Sequence, residues 1–174
     1  QYLILFISLL LTTFVCGQSS KFTSFKTGDW DDPTVWTETG SDADDIPDED
    51  DTVEIQSGHV VTCMNTQSTR ICKLVNEGEL ALNSTYPLYV YGNNTTSINN
   101  GLISGSGAYY QVRSGTLAGS GTIPNGQLKS SFGTLTLDCD ISINNSIVLT
   151  SSGKIAVNNG RSLSVSSFVI ASSG

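Results

Sequence analysis

Short alternations of apolar and polar residues run through most of the chain. In residues 135–143 the sequence Leu-Thr-Leu-Asp-Cys-Asp-Ile-Ser-Ile is apolar at every second position, and residues 52–55 and 88–91 alternate in the same way. A period of two places successive side chains on opposite faces of a strand. Outside the first residues, no stretch has the 3.6-residue period and caps of a substantial helix. The pattern therefore predicts an all-β chain of short strands.

One short phrase occurs twice in the middle of the chain. Residues 101–107 read Gly-Leu-Ile-Ser-Gly-Ser-Gly, and fourteen positions later residues 115–121 read Gly-Thr-Leu-Ala-Gly-Ser-Gly. Looser echoes, a glycine with an aliphatic residue two positions later, begin at Gly78, Gly133 and Gly153. Repeated short strands with Gly or Asn at their ends indicate a coil that stacks on itself. We therefore expect a β-solenoid.

The first residues predict export from the cell. Residues 3–15 form a nearly unbroken apolar run that is too short to span a bilayer comfortably. The small residues Cys16 and Gly17 follow it, so residues 1–17 are predicted to be a cleaved secretory signal. Lipid attachment at Cys16 and a retained anchor are the alternatives. Because the chain lacks an initiator Met and stops in mid-pattern, we expect a fragment of a secreted or cell-surface protein with downstream domains.

The net charge of −8 has one source. Residues 29–54 hold twelve acidic residues and no Lys or Arg, whereas four acidic and six basic residues follow from residue 55 onward. No basic stripe is visible, which argues against a nucleic-acid partner. Carboxylate oxygens suit hard cations, so Asp48, Asp50 and Asp51 are candidate calcium ligands, although their spacing does not fit an EF-hand. A solvated acidic loop is the alternative.

Both tryptophans lie in the first part of the chain that follows the predicted signal. Trp30 and Trp36 flank the turn phrase Asp31-Asp32-Pro33. The open end of a solenoid exposes its core and must be covered. Residues 18–52 are therefore predicted to form an irregular cap with the two tryptophans as its lid. An aromatic platform for sugar rings is the second interpretation of Trp30 and Trp36.

A string of spaced Pro, Asp, Gly and aliphatic positions follows the tryptophan pair. It reads Ile46-Pro47-x-x-x-Asp51-x-Val53-x-Ile55-x-x-Gly58-x-x-Val61, then Leu74-x-x-x-Gly78-x-Leu80. Over residues 22–110 this resembles the start of the eight-glycine domain of fibrocystin-like and hyaluronan-handling cell-surface proteins, and the entry segment of many secreted bacterial β-helix proteins. The resemblance implies an extracellular right-handed parallel β-helix or related β-roll, here residues 53–174 and truncated at the C-terminus. It does not imply catalysis, because no catalytic residue of those families maps onto this chain.

The cysteines are interpreted from their spacing and pattern. Cys63 and Cys72 are nine residues apart in a chain expected to meet an oxidising compartment. A disulfide between them would close a short loop and stabilise the fold by about 2–3 kcal/mol. Cys139 lies on the apolar side of an alternation, which predicts a small buried side chain.

The same alternation places Asp138 and Asp140 on the outer face, about 7 Å apart. Paired carboxylates are the residues that hydrolyse glycans by acid–base chemistry, and they also bind calcium. Asp138 and Asp140 are thus the candidate catalytic residues, with Lys129 and Lys154 as the local basic groups. An exposed solubilising pair is the alternative.

Tyrosines and asparagines complete the predicted outer surface. Tyr89 and Tyr91 alternate with aliphatic residues, so we expect them to face outward, where they stack on sugars or cover a loop. Recurring asparagine pairs indicate corners, and stacked amides form hydrogen-bonded ladders. Glycosylation sequons begin at four asparagines, Asn83, Asn93, Asn94 and Asn144.

The sequence favours a structural or adhesive role over catalysis. We expect a secreted or cell-surface β-helix module that binds extracellular polysaccharide or cell-surface glycans, with no cofactor beyond the possible calcium. The alternative is the N-terminal part of a polysaccharide-degrading lyase or glycoside hydrolase built on the same coil.

Overall fold

The computed structural model describes residues 20–40, 45–64, 67–92, 95–105, 109–123, 127–130, 133–150 and 152–171. The predicted signal segment 1–17 lies outside them, as do Asn93 and Asn94. One 3-10 turn at Pro33–Val35 is the sole helical element within these ranges. Across the same ranges, no helix has both the length and the apolar character needed to cross a membrane.

The short alternating segments form eighteen strands in the described ranges. Their bounds are β1 (Ser20–Ser24), β2 (Gly28–Asp29), β3 (Trp36–Gly40), β4 (Thr52–Ile55), β5 (Val60–Cys63), β6 (Thr69–Ile71), β7 (Lys73–Asn76), β8 (Glu79–Leu82), β9 (Leu88–Val90), β10 (Thr96–Asn99), β11 (Leu102–Gly105), β12 (Tyr109–Val112), β13 (Gly115–Ala118), β14 (Gln127–Ser130), β15 (Thr134–Asp138), β16 (Ile141–Thr150), β17 (Lys154–Val157) and β18 (Leu163–Ala171).

These strands stack into a parallel β-helix with three faces, which confirms the predicted fold class. The first face is the eight-stranded sheet β17-β15-β13-β10-β7-β4-β1-β3, the second is β11-β8-β5-β2, and the third is β18-β16-β14-β12-β9-β6. Among these neighbours only β1 and β3 run antiparallel. From β4 onward, each first-face residue pairs with one 20 to 23 positions further along, as Val53 does with Leu74 and Val75 with Ile98. That distance is the length of one coil.

The fourteen-residue phrase is therefore not the coil repeat. Gly101 precedes β11 on the second face, whereas Gly115 begins β13 on the first face. The glycines that stack on one another are Gly78, Gly101 and Gly121, at the corner between these faces, where each approaches the backbone of the preceding coil. The repeated phrase marks the start of a strand after a corner, and it occurs on more than one face.

The core is built from inward rows, one residue from each coil. On the first face, Phe22, Val53 and Leu74 stack in register and are fully buried, and Leu117 and Leu137 continue the row. Burying such a side chain stabilises the fold by about 1.5–3 kcal/mol. The inward orientation predicted for alternate residues of 135–143 is confirmed, and Cys139 is buried among them.

A buried amide ladder interrupts the aliphatic rows at one corner. Asn76 is fully buried and donates from Nδ2 to Oδ1 of Asn99 at 2.8 Å and to the backbone oxygen of Leu102 at 3.1 Å. Asn99 in turn donates from Nδ2 to the backbone oxygen of Thr122 at 3.5 Å. These amides form a hydrogen-bonded ladder inside the solenoid, to which Asn99, a member of one of the recurring pairs, contributes.

The tryptophans close the N-terminal end. The Trp36 ring packs edge-on against Trp30, with centroids 5.3 Å apart, and against Phe22 at 6.4 Å. The Nε1 atom of Trp36 donates to the backbone oxygen of Trp30 at 2.8 Å. The predicted lid is confirmed. The sugar-platform interpretation of Trp30 and Trp36 is wrong, because both rings are buried and offer no face to a ligand.

The cap is an excursion within the first coil. β1 pairs in parallel with β4, so Ser20–Ser24 already belongs to the solenoid body, although the sequence placed it in the cap. Phe22 pairs with Val53, 31 positions away, because the 3-10 turn and β3 are inserted between these two strands, together with the acidic segment before β4. We call the described part of that segment, residues 45–51, the acidic loop.

The predicted Cys63–Cys72 disulfide is wrong. Cys63 ends β5 on the second face, whereas Cys72 lies at the corner between the third and first faces. Cys63 is a thiol that points into the core, 3.7 Å from Oγ1 of Thr69. Cys72 is disulfide-bonded, but not to Cys63.

Candidate functional site

The outward side of the third face carries a row of long polar and aromatic side chains. Arg70 of β6 pairs in register with Tyr89 of β9, which pairs with Gln111 of β12, which pairs with Lys129 of β14. Neighbouring strands lie about 4.8 Å apart, so the row runs along the solenoid axis at that spacing. The predicted outward orientation of Tyr89 is confirmed, and Tyr91 lies beside it.

Tyr91 is the centre of this surface. Its ring centroid lies 5.5 Å from Cζ of Arg70 and 5.2 Å from Cζ of Arg113. The Tyr89 ring is 5.6 Å away and tilted by 48°. Arg70 belongs to the coil before Tyr91 and Arg113 to the coil after it, so guanidinium groups from two coils converge on one ring. Such cation–π contacts are worth about 0.5–1 kcal/mol each at exposed sites. We call Arg70, Tyr89, Tyr91, Arg113 and Lys129 the Arg–Tyr face.

A cavity of about 230 Å³ opens on the Arg–Tyr face. Glu49, Asp50, Arg70, Tyr91 and Arg113 line it. Nη1 of Arg70 donates to Oε2 of Glu49 at 3.2 Å, and this hydrogen bond is the main reason that the pKa of Arg70 is raised. The acidic loop therefore contributes one wall of the cavity, and a carboxylate already lies on one of its guanidinium groups.

A second cavity, of about 330 Å³, lies between the cap and the start of the third face. Its lining includes Trp30, Ile46 and Pro47, together with Glu49 and Arg70. Glu49 and Arg70 line both cavities, so their ion pair lies where the two meet.

The three candidate calcium ligands do not form a cation site. Asp51 is fully buried, and its carboxylate accepts from the backbone nitrogens of Ser20 at 3.1 Å and Asp48 at 2.8 Å. Oδ1 of Asp48 accepts from the backbone nitrogen of Asp50 at 3.1 Å. These carboxylates organise the loop and tie it to β1. In the part of the chain that the structure describes, no group of three or more acidic, His or Cys residues is placed to hold a metal ion.

Asp138 and Asp140 face outward as predicted, but their contacts are with Arg161 and Ser162 of the next coil. Oδ1 of Asp140 accepts from N and Oγ of Ser162 at 2.7 and 2.9 Å, which lowers the pKa of Asp140. Nε of Arg161 lies 3.5 Å from Oδ1 of Asp138, and its Nη1 lies 4.0 Å from Oδ2 of Asp140. The basic group beside the pair is thus Arg161, and the prediction of Lys129 and Lys154 is wrong.

The lowered pKa of Asp140 does not suit the general-acid role in glycoside hydrolysis, which needs a carboxyl group that stays protonated. Ser162 and Arg161 also engage the Asp140 carboxylate. The chain's single histidine, His59, is engaged elsewhere, with Nδ1 2.9 Å from Oγ of Ser24.

The predicted glycosylation sites are only partly visible. Asn83 is exposed, as a glycan acceptor must be. Asn93 and Asn94 lie outside the described residues, and Asn144 is described in its backbone alone.

Sequence reasoning found the two tyrosines of the site and missed the two arginines. Arg70 and Arg113 are 43 positions apart, and neither lies in a recognisable motif. The signal that could have found them is the coil repeat. The step of 22 positions that pairs Tyr89 with Gln111 also leads from Tyr91 to Arg113, and Arg70 lies one coil, 19 positions, before Tyr89.

No protein-family model, curated protein or solved structure matches this chain. The resemblance to the eight-glycine domain therefore stays a prediction, and the function has to be argued from the geometry of the site.

Proposed function

We propose that this protein is a secreted or cell-surface module that binds extracellular polysaccharide or cell-surface glycans through its Arg–Tyr face. The observation that carries the proposal is the convergence of Arg70 and Arg113 on Tyr91, with Tyr89 alongside, at the edge of a 230 Å³ cavity. Aromatic rings and multiple hydrogen-bond donors on one surface suit a ligand with apolar ring faces and many oxygen acceptors.

The solenoid suits an extended polymer. Arg70, Tyr89 and Lys129 project from β6, β9 and β14 of one face, so the row follows the solenoid axis. β12 lies between Tyr89 and Lys129, and its residue in the row, Gln111, is buried. Side chains on strands are held more firmly than side chains on loops, which lowers the entropy lost on binding. A glycan chain lying along this row would contact several coils at once, which supports an adhesive role with no chemical step.

The exposed sequon at Asn83 and the predicted signal in residues 1–17 support an extracellular glycoprotein. Domains further along the same polypeptide are proposed as the other partners of the module. The runner-up function, a glycan lyase or hydrolase using Asp138 and Asp140, has less support because Arg161 and Ser162 engage both carboxylates.

The test is binding of the protein to a panel of immobilised polysaccharides, with bound protein and released sugar both recorded. We expect retention on at least one polysaccharide without sugar release, and at least a tenfold loss of affinity when Tyr89 and Tyr91 are both replaced by alanine. Tyr86→Ala is the matched control, since Tyr86 is exposed and precedes β9. Binding that survives the double substitution, or no binding to any glycan, would refute the proposal. Released sugar would favour the enzyme.

A further inference from the structure

We propose that the glycan recognised by the Arg–Tyr face is acidic, and that its carboxylate or sulfate groups bind Arg70 and Arg113. This inference rests on the proposed function and names the class of ligand. Three observations carry it.

The first is the position of the guanidinium groups on Tyr91. Arg70 approaches the ring from the preceding coil and Arg113 from the following coil, both within 5.5 Å of its centroid. A ligand that stacks on the rings of this face therefore meets two guanidinium groups beside Tyr91. A guanidinium group presents five N–H donors in a planar fork that matches carboxylate and sulfate oxygens.

The second observation is the distribution of charge. The chain has a net charge of −8, yet Arg70, Arg113 and Lys129, three of the six basic residues after residue 55, lie on this one face. At physiological ionic strength, charges are screened beyond about 8 Å. Acidic residues beyond that distance therefore hardly oppose an anion that has reached this face. The carboxylates beside it are those of Glu49 and Asp50, which line the cavity with Arg70 and Arg113, and Lys129 adds a third cation to the face.

The third observation is an anion that the chain itself supplies. The Glu49 carboxylate lies on Arg70 at 3.2 Å, beside Tyr91 and in the same cavity. Glu49 shows which chemical group the cavity accepts, and it competes with any ligand carboxylate for Arg70. An acidic glycan would displace Glu49 and bind the guanidinium group in its place.

The experiment measures binding of the wild-type protein to four soluble polysaccharides by calorimetry at low and physiological salt. They are a uronate-containing polymer, the same polymer after reduction of its carboxyl groups to alcohols, a sulfated polymer and an uncharged glucan. We expect binding to the uronate or sulfated polymer, at least tenfold weaker binding to the reduced polymer and the glucan, and weakening as salt is raised. Binding of one charged polymer alone identifies its anionic group.

Variants test the assignment to these residues. Arg113→Gln should weaken binding of the acidic polymer at least tenfold, whereas Lys154→Gln, which removes an exposed cation from the first face, should leave it unchanged. Glu49→Gln should strengthen it. Equal binding of the uronate polymer and its reduced form, unaffected by Arg113→Gln, would overturn the inference and leave glycan binding intact. If the protein binds none of the four polymers, the proposed function itself is overturned.

Discussion

Replacing Gly101 with alanine should destabilise the solenoid at the corner between its first and second faces. A Cβ atom on Gly101 would overlap the carbonyl oxygen of Gly78, and it would lie 2.8 and 2.9 Å from the carbonyl carbon and nitrogen of the same residue. All three atoms belong to the backbone of the preceding coil. No side chain can rotate away, so the coils themselves would have to separate.

The cost follows from that separation. Overpacking in a close-packed interior costs about 1–3 kcal/mol. Moving the coils apart also stretches the hydrogen bond from N of Gly101 to O of Asn76 (3.0 Å) and that from N of Leu102 to O of Gly78 (2.9 Å). Each such bond contributes about 1 kcal/mol. We therefore expect a loss of about 3–5 kcal/mol, a large part of the 5–15 kcal/mol that stabilises a typical domain.

The assay is urea denaturation followed by circular dichroism, with Gly58→Ala as the matched control. Gly58 has a φ of +83° and nothing within 4 Å of its missing Cβ, so alanine there incurs backbone strain of about 1–2 kcal/mol and no clash. Gly101→Ala should be the more damaging change by at least 1 kcal/mol. Equal losses in the two variants, or wild-type stability in Gly101→Ala, would refute the close approach of the coils at this corner.

Three further predictions concern charge and thiols. Asp140→Asn should flatten the fall in melting temperature on acidification, because the lowered pKa of Asp140 stabilises the folded state above its unfolded pKa of about 3.9, a contribution lost as pH falls through the folded value. An unchanged profile would contradict this. Cys63 and Cys139 should resist alkylation at pH 8 and react in denaturant, since both are buried and burial raises the pKa of Cys139. Rapid labelling of the native protein would show otherwise. Glu49→Gln should tighten acidic-glycan binding more at low salt than at high salt, because it removes the carboxylate that competes for Arg70. A salt-independent effect would point to a change in structure.

The fold could be predicted because its signal is local. Alternation over residues 135–143 states which side chains face the core, and the structure buries Leu135, Leu137, Cys139, Ile141 and Ile143. The coil length could not be taken from the fourteen-residue phrase, because glycine is needed wherever a strand begins at a crowded corner. Gly101 and Gly115 satisfy that need on two different faces.

The contacts of the site depend on stacking, which a single sequence does not display. Cys63 and Cys72 are near each other in sequence, yet they lie at different corners of the coil and do not bond. Arg70 and Arg113 are far apart in sequence, yet they meet on Tyr91 because each is one coil away from it. The coil repeat of this face, applied forward from Tyr91 and back from Tyr89, would have identified both arginines.

The most direct test of the central claim is a nuclear magnetic resonance titration of the arginine side chains with an acidic hexasaccharide. The chain has three arginines, Arg70, Arg113 and Arg161, so the spectrum contains three Nε–H signals, and Arg161 serves as the internal control beside Asp138. Our account predicts that the signals of Arg70 and Arg113 shift together and saturate with the ligand while that of Arg161 stays in place. A shift confined to Arg161, or equal small shifts of all three, would contradict it.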